Sequence, residues 1–155
     1  MTHASRGYAH PPQGGELIEL RGTKMWVKAS YEDAPGAFSI LEMSHPAGLS
    51  IPLHTHPEGH EAFYVLGGSY TVECEAEKFE GIEGSFIFVP QGAVHNYSVG
   101  EKGGRLLVVS PSGLERYFRE VSQRLIQGPL ELEEEHKIAE QYGQEFVDRL
   151  RHWGL

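Results

Sequence analysis

Between Leu17 and Ser110 the apolar residues of the chain fall into short runs rich in β-branched and aromatic side chains, each bounded by turn-forming residues. Such runs predict strands, at Glu16–Leu20, Met25–Ser30, Phe38–Met43, Ile51–His56, Glu61–Leu66, Tyr70–Cys74, Ser85–Val89, His95–Val99 and Leu106–Val109. Short strands at regular spacing predict a sandwich or a barrel. In Ala62–Leu66 and Phe86–Val89 apolar residues occupy successive positions. Successive strand side chains point to opposite faces, so both faces of these strands need cover. One face lines an interior; the other must meet a second sheet, a helix or another copy of the chain, and a homodimer is the expected assembly.

After Ser110 the apolar period changes from two to about 3.6 residues, with Leu114, Tyr117, Phe118, Val121 and Leu125 on one stripe. A helix is predicted from about Gly113 to Ile126, opened by Ser112 and Glu115 as a reciprocal capping pair and closed by Gly128-Pro129. A second helix is predicted from Glu131 to Tyr142, stopped by Gly143. The acidic run Glu131 to Glu135 reads as a solvated helix start in preference to a cation-binding tail. Gln144 to Leu155 carries no clear pattern.

The 155 residues and 17.3 kDa fit one domain. Residues 1–15 are expected to form a flexible leader, and 16–155 a single domain with its barrel at about 16–110 and C-terminal helices at about 112–150. Thirteen basic against 22 acidic side chains give a net charge of −9, which repels phosphate backbones and anionic lipid. No nucleic acid partner is expected. No apolar run approaches the ~20 residues that cross a bilayer, so no membrane partner is expected either. One cysteine, Cys74, excludes an internal disulfide framework and points to the cytoplasm.

Nine histidines are the most informative count. His54 and His56, two apart on a predicted strand, present both imidazoles to one face. Glu61 opens the next strand, and His95 opens a later one after a Pro90-x-Gly92 turn. Three imidazoles and one carboxylate could thus converge inside a barrel; a bare His-x-His is more often a pair of surface residues in a loop, and it is the wider motif written out below, with the family it resembles, that reverses that preference. Mixed nitrogen and oxygen donors suit one divalent transition metal ion per chain (Fe, Mn, Co, Ni, Cu or Zn) with one or two open positions. Glu61, the only acidic member, is also the candidate to take a substrate proton during catalysis. His60 faces the opposite way, and His3, His10, His45, His136 and His152 default to exposed groups. Cys74 is expected to be a small buried hydrophobe. Gly67-Gly68 and Gly103-Gly104 are expected to be turns. Trp26, Met25, Phe38 and Met43 are expected in the core before a substrate pocket.

Written out, Gly48-x5-His54-x-His56-x4-Glu61-x6-Gly68 is followed after 15 residues by Gly84-x5-Pro90-x-Gly92-x2-His95. These segments resemble the paired motifs of the cupin superfamily at every defining position but the last, where the family's Asn falls at Val99. The stretches Ser110 to Glu120, Lys137 to Phe146 and Glu61 to Leu66 are similar to bacterial single-domain cupins of the quercetin 2,3-dioxygenase-like group. The resemblance implies a mainly β fold, a double-stranded β-helix (jelly roll) followed by two C-terminal α-helices. It also implies a transition metal on His54, His56, Glu61 and His95, and often a dimer. The function it implies is a metal-dependent dioxygenase that cleaves a flavonol, or another small enolic or aromatic substrate, with dioxygen. A metal-dependent isomerase or lyase of a sugar or oxo acid, and a non-catalytic small-molecule-binding protein, are the alternatives.

Overall fold

In the computed structural model, which describes residues 6–155, nine strands and two helices are found among the described residues. They are β1 (Glu16–Leu20), β2 (Thr23–Ala29), β3 (Ser39–His45), β4 (His54–Thr55), β5 (Glu61–Cys74), β6 (Glu77–Ile82), β7 (Phe86–Val89), β8 (His95–Ser110), α1 (Leu114–Gln127), α2 (Leu132–Gln141) and β9 (Glu145–Phe146). Every pairing is antiparallel. Two long strands, β5 and β8, pair along their lengths; β7 and β6 flank β5, and β3 and β4 flank β8. The result is a jelly roll whose interior is filled by alternate residues of both long strands. No helix among the described residues is long and apolar enough to cross a membrane.

The expected breaks inside β5 and β8 are absent. Glu61–Leu66 and Tyr70–Cys74 form one strand, as do His95–Val99 and Leu106–Val109, so the two glycine pairs are not turns. They are facing irregularities in the β5–β8 ladder, with Gly68 opposite Gly104 and register shifts on either side. In β5 the buried positions run Glu61, Phe63, Val65 and then Tyr70, Val72, Cys74; in β8 they run His95, Tyr97, Val99 and then Leu106, Val108, Ser110. The ladder is uneven there, with Val65 and Gly67 facing Leu106 and Arg105, and Gly68 and Tyr70 facing Gly104 and Val99, and the parity that faces inward switches in both strands at that level. Only glycine fits there: at φ 69°, a Cβ on Gly68 would lie 2.0 Å from the Gly103 carbonyl oxygen.

Other boundaries moved for physical reasons. β6 and β9 are additional strands that lack the apolar runs used to find the rest. Of Ile51–His56 only His54–Thr55 is paired as a strand. Ser112 and Glu115 do not cap α1, whose N-cap is Gly113 at φ 88°. Instead the fully buried Glu115 carboxylate accepts from Tyr31 N–H (2.7 Å) and Ser39 Oγ–H (2.6 Å), and Ser112 Oγ accepts from Gly36 N–H (3.0 Å). Tertiary partners displaced the local ones.

Three histidines expected at the surface are not free there. β3 runs two residues beyond its expected end, and its alternation carries His45 inward, where its ring nitrogens lie 2.8 and 2.9 Å from the hydroxyls of Tyr70 and Tyr97. His136 is buried with its ring 5.1 Å from that of Phe146. Half-buried His152 joins Glu135, which is the correction to the acidic run: Glu131, Glu133 and Glu134 are exposed, but Glu135 is fully buried. Its carboxylate accepts from Arg21 (2.6 and 3.2 Å), His152 Nδ1 (2.7 Å), Trp153 N–H (3.1 Å) and the Tyr117 hydroxyl (3.1 Å). Burial alone would raise this carboxyl; the Arg21 guanidinium, with His152 and the Trp153 N–H, outweighs it and holds it below its ordinary value. The cluster ties the β1–β2 turn, α1, α2 and the chain end together, and seats Trp153 against Phe118 at 5.0 Å between ring centres. Met25, Trp26, Met43 and Cys74 are buried, whereas Phe38 is 38% exposed and outside the core. Residues 6–15 form no helix or strand, though the Tyr8 hydroxyl donates to Lys28 O at 2.6 Å. His3 lies outside the described residues.

Candidate metal centre

Two short backbone contacts orient the site. His54 Nδ1–H donates to Pro52 O at 2.8 Å, and His95 Nδ1–H donates to Ala93 O at 2.9 Å. In each case the acceptor is the carbonyl two residues earlier. This places a proton on Nδ1 and turns Nε2 toward the interior, the usual device for fixing a ligating imidazole. His56 is supplied by the same strand face as His54, and Glu61 by the first inward position of β5.

The structure brings the four sequence-predicted residues together. One ligand atom from each of His54, His56, Glu61 and His95 lies within 4.8 Å of the others, and all four residues are buried. Donors each roughly 2.1 Å from a common ion would be at most about 4.2 Å apart, so small side-chain adjustments suffice. Glu61 Oε1 is 2.9 Å from His95 Nε2 and 3.4 Å from His56 Nε2. His56 Nε2 is nevertheless buried with no aligned hydrogen-bond partner.

The electrostatics fit a cation. Burial, with His95 and His56 adding to it, pushes His54 well below its ordinary value, so it is a neutral donor. Burial would raise the Glu61 carboxyl, but the imidazoles of His56 and His95 outweigh it and keep Glu61 ionised. Burial would likewise depress His95, yet the Glu61 carboxylate reverses the sign and raises it. A divalent ion can replace the proton held between His95 and Glu61, using the same donors.

The surroundings are tight. Met43, Phe63, Tyr97 and Val108 from the barrel, Leu114 and Phe118 from α1, and Gln144 from the α2–β9 connection enclose a cavity of about 10 Å³ beside His54, His56 and Glu61. That is about the room one water needs. His60 is exposed, with its Nδ1 accepting from Gln91 N–H at 2.9 Å, and is not brought in. Val99 is buried on the same face as His95 and Tyr97, while Asn96 sits on the opposite face. The position that carries Asn in the resembling motif is therefore apolar here. Gln144 was missed by sequence reasoning because nothing in the pattern of residues 144–155 marks it; only the pairing of β9 with β4 places it.

A small antiparallel jelly roll with an inward cluster of three imidazoles and one carboxylate defines a class of barrel that can hold an ion inside. The cupin domain family matches residues 34–110, and the chain belongs to the cupin superfamily. Over 87 residues it is 29% identical to quercetin 2,3-dioxygenase of Bacillus subtilis (strain 168), a match covering 56% of this chain and 26% of that protein. The chain thus aligns with about a quarter of that relative's length. Among solved structures, it is similar to KdgF from Halomonas sp. (TM-score 0.62, 18% identity, 72% of this chain and 99% of that one). It is also similar to the polyketide cyclase RemF from Streptomyces resistomycificus (TM-score 0.58, 24% identity, 68% and 80%). These two likenesses concern the fold.

Proposed function

We propose that the protein is a metal-dependent cupin enzyme of the dioxygenase type, acting on a small enolic or aromatic substrate, with His54, His56, Glu61 and His95 holding one divalent transition metal ion. The observation that carries the reading is the convergence of four buried donor atoms within 4.8 Å. The local similarity to quercetin 2,3-dioxygenase supports the reaction type. A metal bound there acts as a Lewis acid that acidifies a substrate hydroxyl beside it. Glu61, the one carboxylate among the four, would be the group placed to take a substrate proton, at Oε1 or Oε2. Met43, Phe63 and Phe118 give the cavity beside Glu61 apolar walls and leave space for little more than one water.

With about 10 Å³ free, the closed barrel has no room for a flavonol; cleavage of one calls for movement of α1 and the C-terminal segment, whereas a smaller enol needs less. The assembly we propose is a homodimer through the outer face of β5 and β7, where Tyr64, Phe86 and Phe88 are 47%, 64% and 49% exposed. We assign it to the cytoplasm on the strength of its single unpaired cysteine.

The test is elemental analysis of the purified chain followed by oxygen-electrode measurements over flavonols and smaller enolic compounds. About one transition metal per chain and substrate-dependent oxygen uptake are expected. Turnover without oxygen consumption would replace the dioxygenase with an isomerase or lyase, and full metal occupancy in His54→Ala plus His56→Ala would remove the site. A 17.3 kDa particle in sedimentation at micromolar concentration would refute the dimer.

A further inference from the structure

Gln144 is a buried polar residue in the wall of the metal cavity that the reading above leaves unused. The chain is held on both sides of it. Its N–H donates to Ala139 O at 2.9 Å, and the preceding residue, Gly143, makes the turn out of α2 at φ 82°. The next two residues pair with β4, Glu145 opposite Thr55 and Phe146 opposite His54, and the Val147 and Asp148 N–H groups then donate to Leu53 O at 2.9 and 3.0 Å. One more step of that antiparallel register sets Gln144 opposite His56. Gln144 and Phe146, two apart, share a face, as do His54 and His56, so directly opposed side chains are neighbours across the strands.

The burial agrees. Gln144 is 1% exposed and lines the cavity with His54, His56 and Glu61. Its amide Oε1 is buried without a hydrogen-bond partner, and so is His56 Nε2. A buried carbonyl oxygen that gives up hydration for no partner is destabilising. Both residues line one small cavity, and a cation in it is a partner that would satisfy the two atoms together.

We propose that Gln144 is a fifth protein donor to the bound cation, its amide oxygen adding a hard, neutral ligand from outside the barrel strands. The proposal rests on the metal reading of the four-residue cluster. A carbonyl oxygen beside three imidazoles and a carboxylate biases the site toward harder divalent ions such as Mn²⁺, Fe²⁺ or Co²⁺. In a six-coordinate ion it leaves one position for a reactant. Because Gln144 belongs to the C-terminal segment, displacing that segment would free a second position and widen the cavity in the same movement.

The experiment is Co²⁺ titration of the full chain, followed by visible absorption, for the parent, Gln144→Met, Gln144→Glu and His56→Ala. Gln144→Met is expected to bind Co²⁺ about 10–100-fold more weakly, the range for losing a supporting group at a metal site. It should also absorb more strongly in the visible, as Co²⁺ does with fewer donors. Gln144→Glu should bind at least as tightly as the parent with a shifted spectrum, because an anionic oxygen replaces a neutral one. Without metal, Gln144→Met should melt no lower than the parent, since the unpartnered oxygen is gone. Parental Co²⁺ affinity and spectrum in Gln144→Met would overturn the fifth donor while leaving the four-residue site standing. If Gln144→Met does not fold, an unchanged spectrum in Gln144→Glu overturns it instead. The metal reading itself fails separately, if the parent does not bind Co²⁺ or if His56→Ala binds it as tightly as the parent.

Discussion

Replacing Glu135 with alanine should unfasten the C-terminal segment from the barrel. The carboxylate is fully buried and accepts from four residues on three separate parts of the chain, two of them at 2.6 and 2.7 Å. Its main partner, Arg21, has a side chain only 10% exposed, so truncation leaves a guanidinium largely desolvated with no counter-charge. Breaking a buried ion pair from one side costs about 3–5 kcal/mol, a large part of the roughly 5–15 kcal/mol that holds a domain of this size. Arg21 also sits at φ 48° in the β1–β2 turn, a conformation that residues with a Cβ adopt at a cost, and the Glu135 contacts offset that cost. For a chain of this length the loss corresponds to a melting temperature lower by roughly 6–20 °C. Urea unfolding followed by circular dichroism measures it, and limited proteolysis should show cleavage in residues 144–155 first. A Glu135→Ala protein within about 1 kcal/mol of the parent would mean that the cluster is an incidental gathering of polar groups, and the reasoning would fall.

Three further outcomes are expected. Burial holds His45 down to about 3, against about 6.5 in an unfolded chain, so the unfolded state takes up a proton that the folded state refuses. Its contribution to stability is therefore full above pH 6.5 and lost as the pH falls toward 3, amounting to about 2 kcal/mol between pH 7.5 and 5; urea midpoints should show that slope reduced in His45→Gln, and equal slopes would refute it. Gly68→Ala should destabilise by about 1–3 kcal/mol, because its Cβ meets the Gly103 carbonyl oxygen and φ is positive; thermal melts at parental stability would show that the two strands can part freely there. Glu61→Gln should keep most of its metal while turnover per bound metal falls about 10²–10⁴-fold; a value within a few-fold of the parent would leave Glu61 as a ligand only.

The cluster of four was legible in the sequence because two of its members are fixed locally and the spacing of all four resembles the paired cupin motifs. His54 and His56 share a face by strand periodicity alone, and Glu61 and His95 each open a strand behind a turn marked by Gly or Pro. What could not be read is set by long-range partners. Glu115 looks like a capping residue until Ser39 and Tyr31 are seen beside it. His45 looks like a surface group until β3 proves two residues longer and two tyrosines meet its ring. The glycine pairs looked like turns because a bulge and a turn ask the same freedom of the backbone. Gln144 has no local signature at all: its place depends on a two-residue strand whose partner lies 90 positions earlier.

The four clustered side chains come from residues 54–95, and much of what closes over them comes from residues 114–155. The four clustered donors and much of their cover are thus written in separate stretches of the chain, with Gln144 the one covering residue proposed to join the donors. On the proposed function, substitutions at Leu114 or Phe118 of α1 would change the size and polarity of the space beside the cluster without altering a single imidazole, so selectivity could evolve, or be engineered, apart from the donors.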